Sequence, residues 1–475
     1  MRSWMLGSMV LLTVVASIAT PQLASTPALQ PRVPLLDAEG ALALTGATVI
    51  DGTGSSPLRD GVVVIDRERI VYVGPASGVR IGRRVKVSHL TGKWIVPGFI
   101  DTHGHLPGAD GVAPFLAQLV AFGTTTLRAP ANPRVELREL VKKGEAVGPQ
   151  LLVAGTLIDG VDSVYNWAVR VSTEAEVRDA VKRQAGDRVD FIKLYVGLPP
   201  NLVRAAVEEA HRHGLRVIGH LGNTTWREAA ELGIDSLAHS WYSGLAHSVV
   251  PLQFRAEFRD FYVPNPRFDP GLFRKWRELV EPDSPEVLAL ADKLRERHVE
   301  VHPNLVLGEA MTWGDDPAVL ERVEPAFAPP EIAAGWRRGR HPYSARWSTG
   351  DLTEAKLAFQ SMIAIVRSFH ERGVLLTAGT DYQNPWMTPG VAFHRELELL
   401  ASAGIRPLDV IRIATRNGAE ALGIGKDAGT IERGKRADLV VLSADPLASI
   451  SHTRRIERVF LRGRMFDPRL LLGPR

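Results

Sequence analysis

The 475-residue chain contains no cysteine, which excludes a disulfide framework, a thiolate metal site, a cysteine nucleophile and a lipid-modified N-terminal cysteine. Any bound metal must be held by nitrogen and oxygen. Net charge is scarce too: 57 Lys and Arg against 53 Asp and Glu leave +4, too little over this length to attract a polyanion despite a pI near 9.3. Nucleic acid is therefore not an expected partner. The apolar run from Met5 to Ala19 is shorter than the roughly 20 residues that span a bilayer as a helix. With Arg2 before it, and Pro21 and small residues up to Ala28 after it, the run has the pattern of a secretory signal. An exported, periplasmic or extracellular protein is expected, with cleavage after Ala19, Ala24 or Ala28 and no stable membrane span afterwards. An uncleaved helix on a cytoplasmic protein is the alternative. No Gly-rich dinucleotide turn follows any strand-like run, so a nucleotide-binding open sheet is not favoured.

What is present is an ordinary globular mixture, 45% hydrophobic and 23% charged, enough for one large or two ordinary folding units. Residues 1–28 read as the signal and 29–40 as a proline-rich linker. From Ala41 short strand-like runs follow one another, ALTGATVI, GVVVIDRERIVYVG and RVKVSHLTGKWIVPGFI, making 41–98 the first part of a small β unit. From Phe99 apolar runs alternate with amphipathic helices, the pattern of βα units and a parallel sheet. Thr173 and Glu176 form a capping box that opens a helix to about Gly186, and VDFIKLYV is the strand after it. Seven or eight such strands over 99–420 fit an α/β fold of the (β/α)8 TIM-barrel type. Residues 250–345 read as an aromatic-rich insertion holding Phe254, Phe258, Tyr262, Trp276, Trp313 and Trp336 beside Arg337, Arg338 and Arg340. Residues 421–475 return to strands and complete the small β unit.

Metal sites in barrels form where strands end, because side chains of several strands converge there. His103 and His105 close WIVPGFIDTHGH, and alternation along an extended chain sends both to one side. Lys193 lies inside the apolar run VDFIKLYV, where an unpaired ammonium costs several kcal/mol, so it must be paired, neutralised or modified. His220 ends LRVIGH, His239 stands in LAHS, and Asp381 follows the buried run of LLTAGTDY. Each histidine alone reads as an ordinary hydrogen-bonded residue. Ligand-type residues at five separate strand ends are hard to ascribe to chance.

On VPGFIDTHGH (96 to 105), FIKLYV around Lys193, GHLG at His220, LAHS at His239, AGTDY around Asp381 and ATRNGAEALGIGKDAGTIERGKRADLVVL (414 to 442), the chain resembles the amidohydrolase superfamily, in its prolidase-like and imidazolonepropionase-like branch. The resemblance implies a distorted (β/α)8 TIM barrel with a small β-sandwich built from both chain ends. It implies two divalent ions, zinc being expected from imidazole and carboxylate donors. His103 and His105 would hold the buried ion, and His220 and His239 the exposed one. Lys193, carboxylated by carbon dioxide, would bridge them, and Asp381 would touch the buried ion and hold a proton. The sequence departs from the family at TTTLRAP, where the aspartate of a TT-V-R-D pattern is missing after Arg128. Tyr242 is the candidate for a substrate carboxylate by resemblance to similar peptidases. Tyr195, Asn223 and His341 are weaker substrate-contact candidates, with packing as their other reading.

The expected activity is hydrolysis of a C–N amide bond in a small peptide-like substrate, a dipeptide or an N-acyl amino acid, by a metal-activated hydroxide, with Asp381 passing the proton to the leaving nitrogen. The alternatives are an imidazolonepropionase-like cyclic amidase, a deaminase, a lactonase, and a catalytically silent binding barrel. Homo-oligomerisation stays open.

Overall fold

A computed structural model describes residues 33–108, 111–131, 133–240, 243–255, 270–337, 339 and 341–473. The export segment expected at 1–28, and residues 29–32 of the linker, lie outside them, as do Tyr242, Phe258, Tyr262, Arg338 and Arg340.

The first strands, β1 (Leu42–Val49), β2 (Leu58–Asp66), β3 (Arg69–Pro75) and β4 (Trp94–Pro97), lie at the front of the chain. The last, β15 (Leu439–Leu442), β16 (Ile456–Leu461) and β17 (Arg464–Phe466), lie at its end. All share one sheet in the order β17-β16-β15-β4-β1-β2-β3. The seam between the two ends is the antiparallel pair β15 and β4, with Val440 opposite Val96. Its apolar residues, among them Leu44, Val63, Ile95, Leu439 and Phe460, form a core of their own. The sequence reading expects a two-layered sandwich here. The ladders among the described residues give one sheet plus the small separate pair Leu35–Leu36 with Arg80–Ile81, so a sandwich of two full sheets is not seen there.

Between these ends the strands run parallel. β5 (Phe99–Asp101), β6 (Thr124–Ala129) and β7 (Gln150–Val153) form one sheet. The second contains β8 (Ile158–Asp159), β9 (Val169–Arg170), β10 (Phe191–Leu194), β11 (Arg216–Gly219), β12 (Ser236–Ala238), β13 (Glu300–His302) and β14 (Leu375–Leu376), in the order β9-β8-β10-β11-β12-β13-β14. A closed ladder is not present among the described residues. Single bridges stand where closure would occur, Ala154 to Phe191 on one side and Gly104 to Tyr382 on the other, where Thr102 N also donates to Ala378 O.

The helices between strands form for local reasons that the sequence states. The Thr173–Glu176 capping box is in place and opens the helix Glu174–Gly186. Thr225 with Glu228 does the same for Trp226–Glu231, and Ser348 with Asp351 for the long helix Thr349–Glu371. Their apolar faces bury Val177, Leu202, Trp226, Phe359 and Phe369 against the strands in the largest core. The stretch 250–345 is not one excursion. β13 lies within it and pairs with both β12 and β14, so the βα alternation runs through it. Trp276 is fully buried and Trp313 and Trp336 pack on the main core, whereas Phe254 is exposed.

Candidate metal centre

Every sequence-chosen ligand stands at or just beyond the C-terminal end of a parallel strand, because only there do side chains of several strands reach one space. His103 and His105 follow β5, Lys193 is the third residue of β10, His220 and His239 come directly after β11 and β12, and Asp381 lies beyond β14. His239 and Asp381 hold φ of +67° and +58°. This left-handed backbone is rare outside glycine and is typical of residues held in place for a function. Asp101 ties the first of these ends to the last. Its carboxylate accepts from His103 N at 3.1 Å, Thr380 N at 3.1 Å and Thr380 Oγ1 at 2.8 Å. Burial pushes it up to about 7 even so. Gly379 allows the close approach, since a Cβ there would stand 2.9 Å from the His103 Cβ.

The six side chains His103, His105, Lys193, His220, His239 and Asp381 line one cavity of about 660 Å³. His103 Nε2 lies 3.2 Å and His105 Nε2 3.0 Å from Asp381 Oδ1, and His239 Nε2 is 3.9 Å from Asp381 Oδ2. His220 stacks edge-on against His239 with ring centroids 4.3 Å apart. Among the described residues, His103, His239 and Asp381 form a group able to hold a cation, with one donor atom each, all within 4.8 Å of one another. This tight group cuts across the pairing of His103 with His105 and of His220 with His239 that the resemblance implies.

Electrostatics prepare these atoms for a cation. Burial holds the His103 and His239 imidazoles well below the ordinary histidine value, leaving them neutral with a lone pair to offer. Burial works the other way on Asp381. The facing His103 and His239, and the hydrogen bonds from His103 and His105, overcome it and keep the group an ionised carboxylate. Burial also brings Lys193 down to about 7, with Asp381 opposing and Arg128 assisting. Lys193 Nζ and His103 Nδ1 are buried with no hydrogen-bond partner among the described residues. Neutral imidazoles, one carboxylate, no thiol and two orphaned nitrogens fit a divalent ion of borderline hardness.

The other predicted contacts divide. Tyr195 lines the cavity, its ring 4.7 Å from that of His220. Asn223 and His341 do not line it. Asn223 Nδ2 donates to Gly197 O, and fully buried His341 donates from Nε2 to Pro385 O and accepts at Nδ1 from Tyr343 N. Both are consumed by backbone groups, in accord with packing. Tyr242 lies outside the described residues.

Sequence reasoning missed the floor beneath the site. Arg128, noticed only as a departure from a pattern, is fully buried and donates from Nε to Thr102 O at 2.6 Å, from NH1 to Glu300 Oε2 at 2.8 Å and from NH2 to Ser236 Oγ at 3.2 Å. NH2 also lies 3.2 Å from His302 Nδ1. A guanidinium only donates, which favours the tautomer with His302 Nδ1 accepting, while Glu300 Oε1, 3.4 Å from the same nitrogen, favours the opposite one. Burial brings His302 to about 4, consistent with a neutral ring. Its ring lies 4.8 Å from that of His103. The available signal was the alternation in HVEVHP, which sends Glu300 and His302 of a buried strand to the same side.

Parallel strands whose ends gather imidazoles and a carboxylate around one cavity define an α/β protein of the kind that holds a catalytic cation. Residues 94–248 and 320–466 match the model of the amidohydrolase family, more than half of the chain. The chain belongs to that family, on its imidazolonepropionase-like and prolidase-like branch, and its class of chemistry is hydrolysis of carbon–nitrogen bonds. It is 24% identical over 440 residues to imidazolonepropionase of Rhizobium meliloti (strain 1021), covering 87% of this chain and 92% of that protein. A structure described as a prolidase of Bifidobacterium longum matches at TM-score 0.65 and 25% identity, over 90% of this chain and 94% of that one. Bottromycin amidohydrolase matches at TM-score 0.69 and 21% identity, over 91% and 88%; at that identity the likeness concerns the fold.

Proposed function

We propose that the protein is a binuclear metal-dependent amidohydrolase that cleaves the amide of a small peptide-like substrate, a dipeptide or an N-acyl amino acid. His103, His105, His220, His239 and Asp381 would hold two divalent ions, zinc by donor type, with Lys193 carboxylated between them. The observation that carries the reading is Lys193: an amine buried without a hydrogen-bond partner among the described residues, lowered to about 7 so that much of it is neutral, among imidazoles and a carboxylate. Addition of the neutral Nζ to carbon dioxide with loss of a proton would turn the amine into an anion with two oxygens, whose burial the divalent ions would compensate. Two bound ions would lower the pKa of a water and polarise the carbonyl.

The remaining work falls to the chain. Asp381, kept ionised and free of bulk water, takes a proton at a carboxylate oxygen and returns it to the leaving nitrogen. His105, with its side chain 29% exposed, stands at the mouth and orients Asp381 through their 3.0 Å contact. The Arg128–Glu300 floor holds His302 against His103 and fixes the His103 ring. The two parallel sheets are read as one distorted barrel whose strands bridge at Ala154–Phe191 and Gly104–Tyr382. Within the same reading, the first 28 residues direct export and are removed, 29–40 tether, 41–98 and 421–475 form one composite β unit, and 99–420 form the catalytic unit. No helix among the described residues is long and apolar enough to cross a membrane.

The test is reconstitution of the mature chain with zinc and bicarbonate, followed by assay against dipeptides, N-acyl amino acids and lactones. Two ions per chain, a carbamate carbon signal from labelled bicarbonate, and loss of both in Lys193→Met are expected. Full hydrolysis by Lys193→Met overturns the bridging scheme. One ion per chain with no carbamate signal favours the mononuclear cyclic amidase or deaminase instead.

A further inference from the structure

The cavity has two unlike walls. Beyond Asp381 stand Gln383, Asn384 and Tyr343, with Tyr343 Oη donating to Asn384 Oδ1 at 2.7 Å and Asn384 Nδ2 to Asp381 O at 2.8 Å. On the side of His220 a file of aromatic rings climbs from the floor to solvent. Tyr195 lies 4.7 Å from His220, Tyr165 5.4 Å from Tyr195, and Trp167 4.8 Å from Tyr165 at 35°. Tyr165 and Trp167 sit on the strap between β8 and β9, and all three rings line the cavity with the histidines. At the top Trp167 is 49% exposed, next to exposed Val161 and Val164. An indole half left in water at the mouth of a polar cavity, above half-buried Tyr165, marks a surface that a ligand covers, and rings in this spacing favour stacking with another flat group. The volume of about 660 Å³ also exceeds what a substrate of small aliphatic groups would fill.

From this arrangement we infer that the substrate carries an aromatic group on the acyl half of the scissile amide, seated against Tyr165 and Trp167. The inference deepens the hydrolytic reading above and rests on it. The direction follows from what stands on either side of Asp381: Asn384 of the polar wall bonds its backbone oxygen directly, whereas the aromatic file is reached from it only through His239, at 3.9 Å, and then His220. The leaving nitrogen must lie by the group that returns its proton, Asp381, with the polar wall of Gln383, Asn384 and Tyr343 around the amine half. The acyl half then extends the other way, past His239 and His220, into the rings. Trp167 and Tyr165 are therefore specificity-determining residues.

Two isomers of one composition separate the halves: N-phenylacetylglycine has the ring on the acyl side and N-acetylphenylglycine on the amine side. The zinc-loaded enzyme should favour the first by about tenfold or more in kcat/KM. Trp167→Ala should bring that ratio close to one, chiefly through KM, and Trp167→Phe should keep most of it. Equal rates for the isomers, or a preference that survives Trp167→Ala and the double change with Tyr165→Ala, overturns the inference. Calorimetric binding of both isomers runs beside the assay. If neither is hydrolysed but tighter binding of the first persists and vanishes in Trp167→Ala, the aromatic site stands and the hydrolytic reading falls. If binding also shows no preference, the aromatic site falls as well.

Discussion

Two layers of buried polar side chains lie inside the parallel strands, and they are completed in opposite ways. In the lower layer Glu300 and Ser236 open their strands, and Arg128 reaches them from β6. Each guanidinium nitrogen of Arg128 has a partner, and Glu300 also accepts from Thr377 Oγ1 at 2.6 Å. In the upper layer, where His220 and His239 follow their strands, Lys193 Nζ and His103 Nδ1 have no hydrogen-bond partner among the described residues. A buried polar group without a partner costs about 1–3 kcal/mol. The lower layer is closed around Arg128 and Glu300 and leaves only His302 Nε2, on the ring that lies against that of His103, without a hydrogen-bond partner among the described residues, while the upper layer leaves both Lys193 Nζ and His103 Nδ1 so. Closure is the mark of a structural network, and vacancy of donor atoms the mark of a receptor for cations.

The largest difference between the layers should appear in catalysis. Asp381→Asn keeps shape and hydrogen-bonding oxygen but removes the charge and the proton acceptor. Its kcat should fall about 10³-fold, with the denaturant midpoint of the metal-free protein little changed. A parallel collapse of that midpoint would mean that the upper layer is structural after all. Arg128→Met should behave in the reverse manner. It leaves Glu300 charged, buried and alone, and should cost about 3–5 kcal/mol of unfolding free energy, measured by urea denaturation. The double change Arg128→Met with Glu300→Met removes both charges and should recover most of that loss. If the single and double variants are equally unstable, packing and not charge pairing holds the floor together.

Much of this contrast was legible in the sequence, for one layer only. His103, His105, Lys193, His220, His239 and Asp381 announce themselves as a set: each histidine alone has a bland reading, but ligand-type residues at five separate strand ends are hard to ascribe to chance. The capping box at Thr173 and the strand FIKL were equally plain, since both are local. Arg128, Glu300 and His302 were not, because an ion pair between residues 172 positions apart has no local signature, and each alone reads as a surface charge. For Asn223 and His341 the sequence left substrate contact and packing both open, because a polar type near a motif says nothing of the backbone group it meets in the fold. Barrel closure and the sandwich were equally beyond reach of local pattern, as they depend on which strand edges meet. Tyr165 and Trp167 passed unnoticed because the strap between β8 and β9 has no periodicity to show its direction.

The smallest predicted effect separates the layers by pH. Lys193 titrates near 7 in the fold, against about 10.5 in an open chain. Between those values the unfolded state binds the extra proton, so the metal-free protein should gain stability as pH rises from about 7 towards 10.5 and lose it below. Lys193→Met carries no such proton. Its stability should therefore lack that part of the slope, and at pH 7 it should equal or exceed the parent, since an orphaned amine has been replaced by an apolar side chain of similar length. The measurement is the difference between the two urea midpoints at pH 7 and at pH 9.5, without metal. A difference that stays constant across that interval would mean that Lys193 has found a partner in solution, and the upper layer would then be as closed as the lower.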